Sequence, residues 1–209
     1  IDRPCTEGKT WDPNQGACVV KKEAPKLSPQ ESYYRALALL ERVRGQRRAL
    51  PLLENACRRG HAPACSQLGY VFKTGRHVTT DPARSLSHYG RACDLKDIPG
   101  CLGAAEHHAK ALGGKADFSK ALSFYEAACR LGSGTGCFRA AEAWQRGRGA
   151  KKDESRATSK FQQAVAIHER ECRTQKGPSC YLLGLALRDG RGLNRSAVRA
   201  FGVCARGCE

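Results

Sequence analysis

The chain has 209 residues, a formal net charge of +16 at neutral pH and twelve cysteines. This length accommodates one domain with a buried core or a short array of repeats. No apolar run approaches the roughly 20 residues that a bilayer-spanning helix requires, so we expect no transmembrane segment in this chain. It begins at Ile1 without a recognisable signal peptide, which is compatible with a processed amino terminus that associates with an envelope or membrane complex.

The amino-terminal stretch PCTEGKTWDPNQGACV (4–19) places Cys5 and Cys18 around Trp11 and an Asn-Gln-Gly turn. This pattern predicts a small disulfide loop, followed by an extended linker that contains two prolines. We assign residues 1–25 to this loop and linker, and residues 26–209 to a repeat domain. Trp11 is a candidate docking residue; the alternative is that it packs against its own loop.

From residue 57 onward, cysteines recur with a fixed period. Cys57, Cys93 and Cys129 lie 36 residues apart, and each is followed by a second cysteine eight positions later. Metal sites, redox pairs and structural disulfides all need close cysteines, but the sequence has no Cys-x-x-Cys pair and its six histidines show no zinc-ligand spacing. The even number of cysteines predicts a disulfide framework in an oxidising compartment: the periplasm, the cell surface, the extracellular space or the mitochondrial intermembrane space. We expect no metal ligand and no cofactor.

The residues between these cysteines predict two helices in each 36-residue unit. DPARSLSHYGRAC (81–93) and DFSKALSFYEAAC (117–129) open on an N-capping aspartate and repeat apolar residues at helical intervals. We call this segment helix B. A shorter helix A follows the second cysteine, as in CSQLGYVFKTG (65–75), and ends on a glycine that suits a helix C-cap.

Bulky side chains occupy one position of helix A. Phe72, Trp144 and Leu187 come one turn after a small residue, so we expect close helix packing there, with the bulky side chains in the core. In one unit His108 takes this position, directly after His107. Adjacent residues point to different sides of a helix, which favours a structural histidine over a metal ligand.

The two ends of the array depart from the period. Residues 31–57 form a first unit that lacks the first cysteine, and Pro51 is expected to kink its helix B or delay the start of that helix. The last unit is abbreviated and ends with Cys204 and Cys208, only four residues apart. Irregular terminal units are typical of repeat arrays, where they cap the core.

An insertion lengthens one helix B. The interval from Cys129 to Cys172 is 43 residues, seven more than the period, and Val165 takes the expected cysteine position. Seven residues make about two helical turns, so Cys172 returns to nearly the same face. We expect a helix over roughly 153–172 that projects beyond its neighbours and contributes little to the core.

The repeat pattern reads Ala-Cys, then Cys-x-x-Leu-Gly, a glycine, an aspartate and again Ala-Cys. Over residues 31–208 this pattern resembles the SEL-one-like repeat family. More narrowly, it is similar to the cysteine-rich subset typified by Helicobacter cysteine-rich proteins. This resemblance implies an all-α, α/α superhelical solenoid of helix-turn-helix repeats, related to tetratricopeptide repeats, with about four to five units. It also implies a disulfide within each unit. We therefore expect the pairs Cys57–Cys65, Cys93–Cys101, Cys129–Cys137 and Cys172–Cys180, with Cys5–Cys18 and Cys204–Cys208 completing the set.

The resemblance implies a non-enzymatic scaffold that binds other proteins, and we expect a subunit of a cell-envelope assembly. No catalytic residue is predicted, because the sequence lacks a phosphate-binding glycine loop, His-Glu-x-x-His and Gly-x-Ser-x-Gly. Some cysteine-rich relatives are described as β-lactamases or penicillin-binding proteins, but no serine here is followed three places later by lysine. A respiratory-chain assembly factor of the mitochondrial intermembrane space is a third alternative.

Candidate partner contacts fall on two regions besides Trp11. Helix A lines the inner surface of related superhelices, and the extended helix B offers a separate surface. The high positive charge favours acidic proteins or other anionic surfaces as partners, whereas nucleic acid is a weak candidate because oxidising compartments hold little of it. The alternative is a solvated polar face without a dedicated partner. The candidates are Tyr70, Lys73, Lys110, Glu142, Arg146 and Arg188 on the A helices, and Ile167, His168 and Arg170 on the extension.

Overall fold

The computed structural model describes residues 9–12, 17–20, 27–42, 45–75, 78–174 and 177–206. Within these ranges a short hairpin precedes ten helices. Strands β1 (Lys9–Asp12) and β2 (Ala17–Val20) pair antiparallel, with Trp11 opposite Cys18. The helices are α1 (Pro29–Leu40), α2 (Gln46–Arg58), α3 (Ala62–Thr74), α4 (Pro82–Asp94), α5 (Ile98–Ala109), α6 (Phe118–Arg130), α7 (Gly134–Arg146), α8 (Glu154–Arg173), α9 (Gly177–Asp189) and α10 (Ala197–Arg206).

The helices form a continuous array of antiparallel pairs. Each helix packs against the next one along the chain, and α3 also packs directly against α5. Odd-numbered helices from α1 to α9 are the A helices, and even-numbered helices are the B helices. Contacts between α3 and α5 are more extensive than those between α4 and α6, so the A helices lie on the inside of the curve there. The prediction of an all-α solenoid of helix-turn-helix repeats is confirmed.

Side-chain caps start the helices where the sequence indicates. Asp81, Asp117 and Asp153 each accept a hydrogen bond from the backbone N–H three residues later, at the start of a B helix. The A helices α5 and α7 begin in the same way on Asp97 and Ser133. These bonds satisfy amide donors that would otherwise be unpaired in the first turn.

Aromatic residues of the B helices pack between A helices. The ring of Tyr89, on α4, covers Gly69 of α3 and Gly103 of α5. A Cβ at either glycine would lie within 2.7 Å and 2.5 Å, respectively, of a ring carbon. One side chain therefore joins two successive units, and only glycine allows this close approach.

Four disulfides join each B helix to the next A helix: Cys57–Cys65, Cys93–Cys101, Cys129–Cys137 and Cys172–Cys180. The disulfide-stapled repeat predicted above is confirmed for these four units. Cys18 is also disulfide-bonded. Cys5, Cys208 and the side chain of Cys204 lie outside the described residues, so the two terminal bridges stay predictions.

The structure places three residues that the sequence analysis singled out. Helix α2 begins at Gln46 and continues through Pro51, so the proline does not delay its start. Trp144 is half-buried: its ring packs against the core cluster of Ala141, Ala157 and Phe161, and its Nε1 donates a 2.9 Å hydrogen bond to Glu126. His108 is also half-buried and stacks on Phe124, with ring centroids 5.8 Å apart.

The extension of α8 is part of the core, so the expectation that it contributes little is wrong. His168 is only 3% exposed, and Ile167 packs against the cluster formed by Cys129, Cys137 and Ala164. The physical reason is helical periodicity. His168 follows Val165 by three residues and precedes Cys172 by four, so it shares their buried face.

Candidate protein-binding surface

The candidate contact residues of the A helices occupy the C-terminal halves of successive helices. Tyr70 and Lys73 lie on α3, Lys110 directly follows α5, and Arg146 ends α7. Tyr70 is 44% exposed, and the side chains of Lys110 and Arg146 are also largely exposed. The array therefore brings these side chains to one surface, which we call the inner surface. Arg188 lies on α9 and donates a hydrogen bond to neighbouring Asp189.

Lys73 and Lys110 share one carboxylate. The Lys73 Nζ lies 2.8 Å from Oε2 of Glu106, and the Lys110 Nζ lies 3.5 Å from the same oxygen. Burial alone would raise the pKa of Glu106, but the hydrogen bond and charge of Lys73, aided by Lys110, hold that pKa below its ordinary value. Lys73 therefore joins α3 to α5 and is less available to a partner than Lys110 is.

Glu142 is a structural anchor, which corrects its assignment as an exposed contact. Its side chain is only 14% exposed, and Arg139 and Arg191 approach its carboxylate oxygens to 2.9 Å and 3.1 Å. Arg146 lies further away, at 3.7 Å. Because Arg191 follows α9, Glu142 ties two units together.

A cleft of about 270 Å³ opens between α5, α6 and α7. Its cationic rim is formed by Lys110, Arg139, Arg146 and Arg148, and its apolar wall includes Phe118, Leu122 and Tyr125. The Arg148 guanidinium lies 5.6 Å from the centroid of the Phe118 ring. Phe118 and Arg148 were not predicted from the sequence, although Gly-Arg-Gly recurs at 147–149 and 190–192 and is a signal that could have identified the arginine.

A second cleft of about 300 Å³ lies nearer the amino-terminal end, and tyrosine and proline side chains form most of its lining. Its lining includes Tyr33, Tyr70 and Tyr89, together with Pro63 and Pro99. Burial raises the pKa of Tyr89 to about 12, so this phenol stays neutral at physiological pH. This cleft places Tyr70 in an apolar part of the inner surface.

Among the residues that the structure describes, Ser85 and His107 form a close serine–histidine pair, and this pair is structural. Ser85 Oγ and His107 Nε2 are 2.9 Å apart, but Ser85 is 0% exposed. The single hydroxyl hydrogen of Ser85 goes to the Gly69 carbonyl oxygen at 2.7 Å, so the hydroxyl accepts from Nε2. Burial lowers the pKa of His107, which keeps the ring neutral. A substrate cannot reach this serine.

The remaining candidates differ in exposure. On the α8 extension Arg170 is exposed, Ile167 is partly buried and His168 is buried, so His168 cannot contact a partner in this conformation. Trp11 lies on β1, and its side chain is outside the described part of the chain. No described helix is long and apolar enough to cross a membrane. Among the same residues, no group of three or more His, Cys, Asp or Glu side chains is placed to hold a metal ion.

Comparison with known proteins agrees with this architecture. A Sel1 repeat protein from Oxalobacter formigenes matches with a TM-score of 0.67 and 16% identity, over 86% of this chain and 70% of that one. The protective antigen c5321 of uropathogenic Escherichia coli, which displays an SLR fold, matches with a TM-score of 0.65 and 16% identity. That match covers 86% of this chain but only 38% of the antigen. Helicobacter pylori cysteine-rich protein B shares 24% identity over 55% of this chain and 87% of its own length, with a TM-score of 0.42.

No curated protein matches this chain significantly. The family model of the Sel1 repeat matches four segments, at residues 62–97, 99–133, 135–164 and 177–202, which together make up more than half of the chain. Two of the described disulfides, Cys93–Cys101 and Cys129–Cys137, join successive matched segments, and the four together indicate an oxidising compartment. By its repeats and its fold, the chain belongs to the Sel1 repeat family.

Proposed function

We propose that this protein is a non-enzymatic scaffold that binds another protein through the inner surface of its A helices, as a subunit of a cell-envelope assembly. The observation that carries the proposal is the cleft between α5, α6 and α7, where four cationic side chains surround an apolar wall. Solenoids commonly use such inner surfaces to bind partners. We place the assembly in the periplasm or at the cell surface.

The stapled loops favour a binding role. Each of the four described disulfides closes a short turn between a B helix and the next A helix. A bridge of this kind contributes on the order of 2–4 kcal/mol of stability when it is unstrained. A surface that is rigid before binding loses less conformational freedom when a partner docks. The framework therefore supports a preformed inner surface.

Charge favours an acidic partner. The whole chain carries +16, and Lys110, Arg146 and Arg188 present exposed cationic heads on successive A helices. A positive surface increases the association rate with an acidic protein at low salt. The same charge suits the anionic surroundings of a cell envelope.

The hydrolase alternative gains no support from the serine–histidine pair, because Ser85 is fully buried. The mitochondrial alternative stays a prediction. A second contact region is proposed on the α8 extension, limited to the exposed Arg170 and its neighbour Ala166. Trp11 and the loop around it stay a proposed third contact.

The scaffold proposal is tested by isolating the complex from a native extract under non-reducing conditions. The charge-reversal variant carries Lys73→Glu, Lys110→Glu and Arg146→Glu. We expect it to lose the stoichiometric partner and to bind with a weaker dependence on salt, because fewer cations contact the acidic surface. Circular dichroism verifies that the variant is folded.

The matched control reverses the same number of charges elsewhere. It carries Lys115→Glu, Arg130→Glu and Arg173→Glu, three exposed positions away from the cleft. We expect it to retain the partner. Recovery of the native chain alone would contradict the scaffold role, and equal loss in both triple variants would move the interface away from the inner surface.

A further inference from the structure

We propose that the cleft between α5, α6 and α7 binds an extended acidic segment of a protein. The carboxylates of this segment pair with Lys110, Arg146 and Arg148, and a neighbouring apolar side chain packs on Phe118. This inference rests on the proposed scaffold function and names the chemistry of its partner. The cleft's charge balance, its apolar wall and its size each lead to this assignment.

The cleft has unbalanced positive charge. Its two carboxylates are already held by close cations: Glu106 by Lys73 at 2.8 Å, and Glu142 by Arg139 at 2.9 Å. Glu142 also binds Arg191 at 3.1 Å. These pairs leave the carboxylates with little capacity to neutralise the rest of the rim.

Three cations of the rim are therefore weakly paired. Lys110 lies 3.5 Å from Glu106, and Arg146 lies 3.7 Å from Glu142, so each is the more distant partner of a shared carboxylate. Arg148 forms no ion pair with any carboxylate in the described part of the chain; its guanidinium contacts the Phe118 ring instead. A carboxylate that enters the cleft would meet three cationic heads.

The apolar wall distinguishes a peptide from a bare polyanion. Phe118 is 39% exposed, and Leu122 and Tyr125 extend the same wall deeper into the cleft. Apolar surface stabilises a complex only when the ligand covers it with apolar groups. A sugar phosphate or a nucleic acid backbone gains nothing from this wall, whereas an acidic segment with one leucine or phenylalanine matches both parts of the cleft.

The size of the cleft limits how much of a ligand it can hold. Sites for drug-sized ligands and cofactors measure roughly 300–1,000 Å³, and this cleft measures about 270 Å³. It is therefore suited to one or two side chains of a longer segment. The rest of the segment would continue along the inner surface towards Tyr70.

Binding is measured by fluorescence anisotropy with the purified, disulfide-intact chain. The probe is a labelled peptide, acetylated and amidated at its ends, with the sequence Asp-Glu-Leu-Glu-Asp. Its first control replaces every Asp and Glu by Asn and Gln, and its second replaces Leu by Gly. We expect the acidic leucine peptide to bind best, with an affinity that falls as salt rises.

The key variant carries Lys110→Gln, Arg146→Gln and Arg148→Gln. Single exposed charge pairs change an affinity by about 1.5- to 5-fold, so we expect the triple variant to bind roughly 3- to 100-fold more weakly. The matched control, Lys115→Gln with Arg130→Gln and Arg173→Gln, removes the same net charge and should bind within about twofold of the native chain. Phe118→Ala should weaken the leucine peptide and leave the glycine peptide unchanged.

Four outcomes would overturn the proposal: equal binding of the acidic and amide peptides, equal loss in the two triple variants, no effect of Phe118→Ala on the leucine peptide, or heparin binding that exceeds peptide binding and ignores the cleft variant. If the peptide did not bind but the charge-reversal variant still lost the native partner, only this assignment of the ligand would be overturned, and the scaffold proposal would stand. Cleft-dependent peptide binding without any stoichiometric native partner would support the assignment and contradict the scaffold role.

Discussion

The imidazole of His168 lies directly over the α-carbon of Gly134. A Cβ at position 134 would be 2.5 Å from Cε1 of His168, closer than any real contact. One and two periods earlier, positions 98 and 62 carry Ile and Ala, whose units lack the α8 extension. The glycine at the start of α7 and the two added turns of α8 are therefore parts of one packing arrangement.

This relationship predicts that Gly134→Ala is destabilising. Alanine normally favours a helix over glycine by about 0.5–1 kcal/mol, but here the added methyl group must displace the buried ring. Overpacking of this kind costs about 1–3 kcal/mol, so we expect a net loss of free energy of unfolding in urea denaturation. The control is Gly90→Ala on α4, where no described atom lies within 4 Å of the added Cβ. That variant should be as stable as the native chain or more so; the same result for Gly134→Ala would contradict the packing.

Buried and half-buried histidines predict a loss of stability in acid. Burial lowers the pKa of His88, His107, His108 and His168, although Glu171 partly opposes the effect at His168. The unfolded chain protonates these rings near their ordinary pKa of about 6.5, whereas the folded chain resists protonation. Stability is therefore complete above about pH 6.5 and falls as the pH decreases towards the folded pKa values. Urea denaturation between neutral pH and pH 5 measures this slope.

His168→Leu provides the specific comparison for that slope. Both ring nitrogens of His168 lack a hydrogen-bond partner among the described residues, and Nδ1 is 3.7 Å from the nearest Glu171 oxygen. An apolar replacement thus leaves no new unsatisfied group at this position. We expect a shallower pH dependence than in the native chain. An unchanged slope would show that His168 does not contribute to it.

Most of the repeat could be predicted because its signals are local. The 36-residue cysteine period, the capping aspartates Asp81 and Asp117, and the terminal glycine Gly75 each specify a helix end by short-range chemistry. The burial of His168 could also have been predicted, since its spacing from Val165 places both residues on the same helical face. Its polarity favoured a surface assignment, and only the glycine at position 134 explains why the ring fits inside.

The candidate site was less predictable because it depends on contacts between units. Glu142 looks like an exposed acid in the sequence, yet Arg191 reaches it from 49 residues away. Phe118 and Arg148 contact each other although they are 30 positions apart in the sequence, and no helical period relates the two positions. Such pairs follow from how successive helices stack, so composition and periodicity alone do not identify them.

One unit places ordinary residues where its neighbours have left-handed glycines. Lys96 (φ 65°) corresponds to Gly60 and Gly132, and Ala111 (φ 56°) corresponds to Gly75 and Gly147. The left-handed region costs a residue with a side chain about 1 kcal/mol or more. We expect Lys96→Gly and Ala111→Gly each to stabilise the chain by about 0.5–1 kcal/mol, less than that cost because glycine also makes the unfolded chain more flexible. Thermal denaturation of the oxidised protein measures both.

The reverse substitution is the matched control for this effect. Gly132 has φ 91°, and no described atom lies within 4 Å of a Cβ built there. Gly132→Ala should therefore lose stability by a similar amount through backbone strain alone. If Gly132→Ala were neutral, the left-handed positions would not limit the stability of the array.

Removal of the α8 extension separates its structural role from its proposed contact. The variant deletes residues 166–172 and carries Val165→Cys, which restores the 36-residue spacing and a cysteine eight positions before Cys180. We expect it to fold and to form this disulfide. It should nevertheless be less stable by roughly 2–5 kcal/mol, because the deletion removes the buried His168 and the partly buried Ile167, which packs against the core. Non-reducing peptide mapping and urea denaturation give the two measurements.

The same deletion should reverse the sign of the Gly134 substitution. Without His168 the space above position 134 is open, so Gly134→Ala no longer meets the ring and gains the usual advantage of alanine in a helix, about 0.5–1 kcal/mol. A double-mutant cycle between the deletion and Gly134→Ala therefore gives a coupling energy of opposite sign to the single substitution. If Gly134→Ala destabilised both backgrounds equally, the two sites would be independent. If the deletion variant were as stable as the native chain, the extension would have no structural role and would serve only the contact proposed for Arg170. Arg170→Glu tests that contact: it should abolish complex formation and leave the free energy of unfolding unchanged.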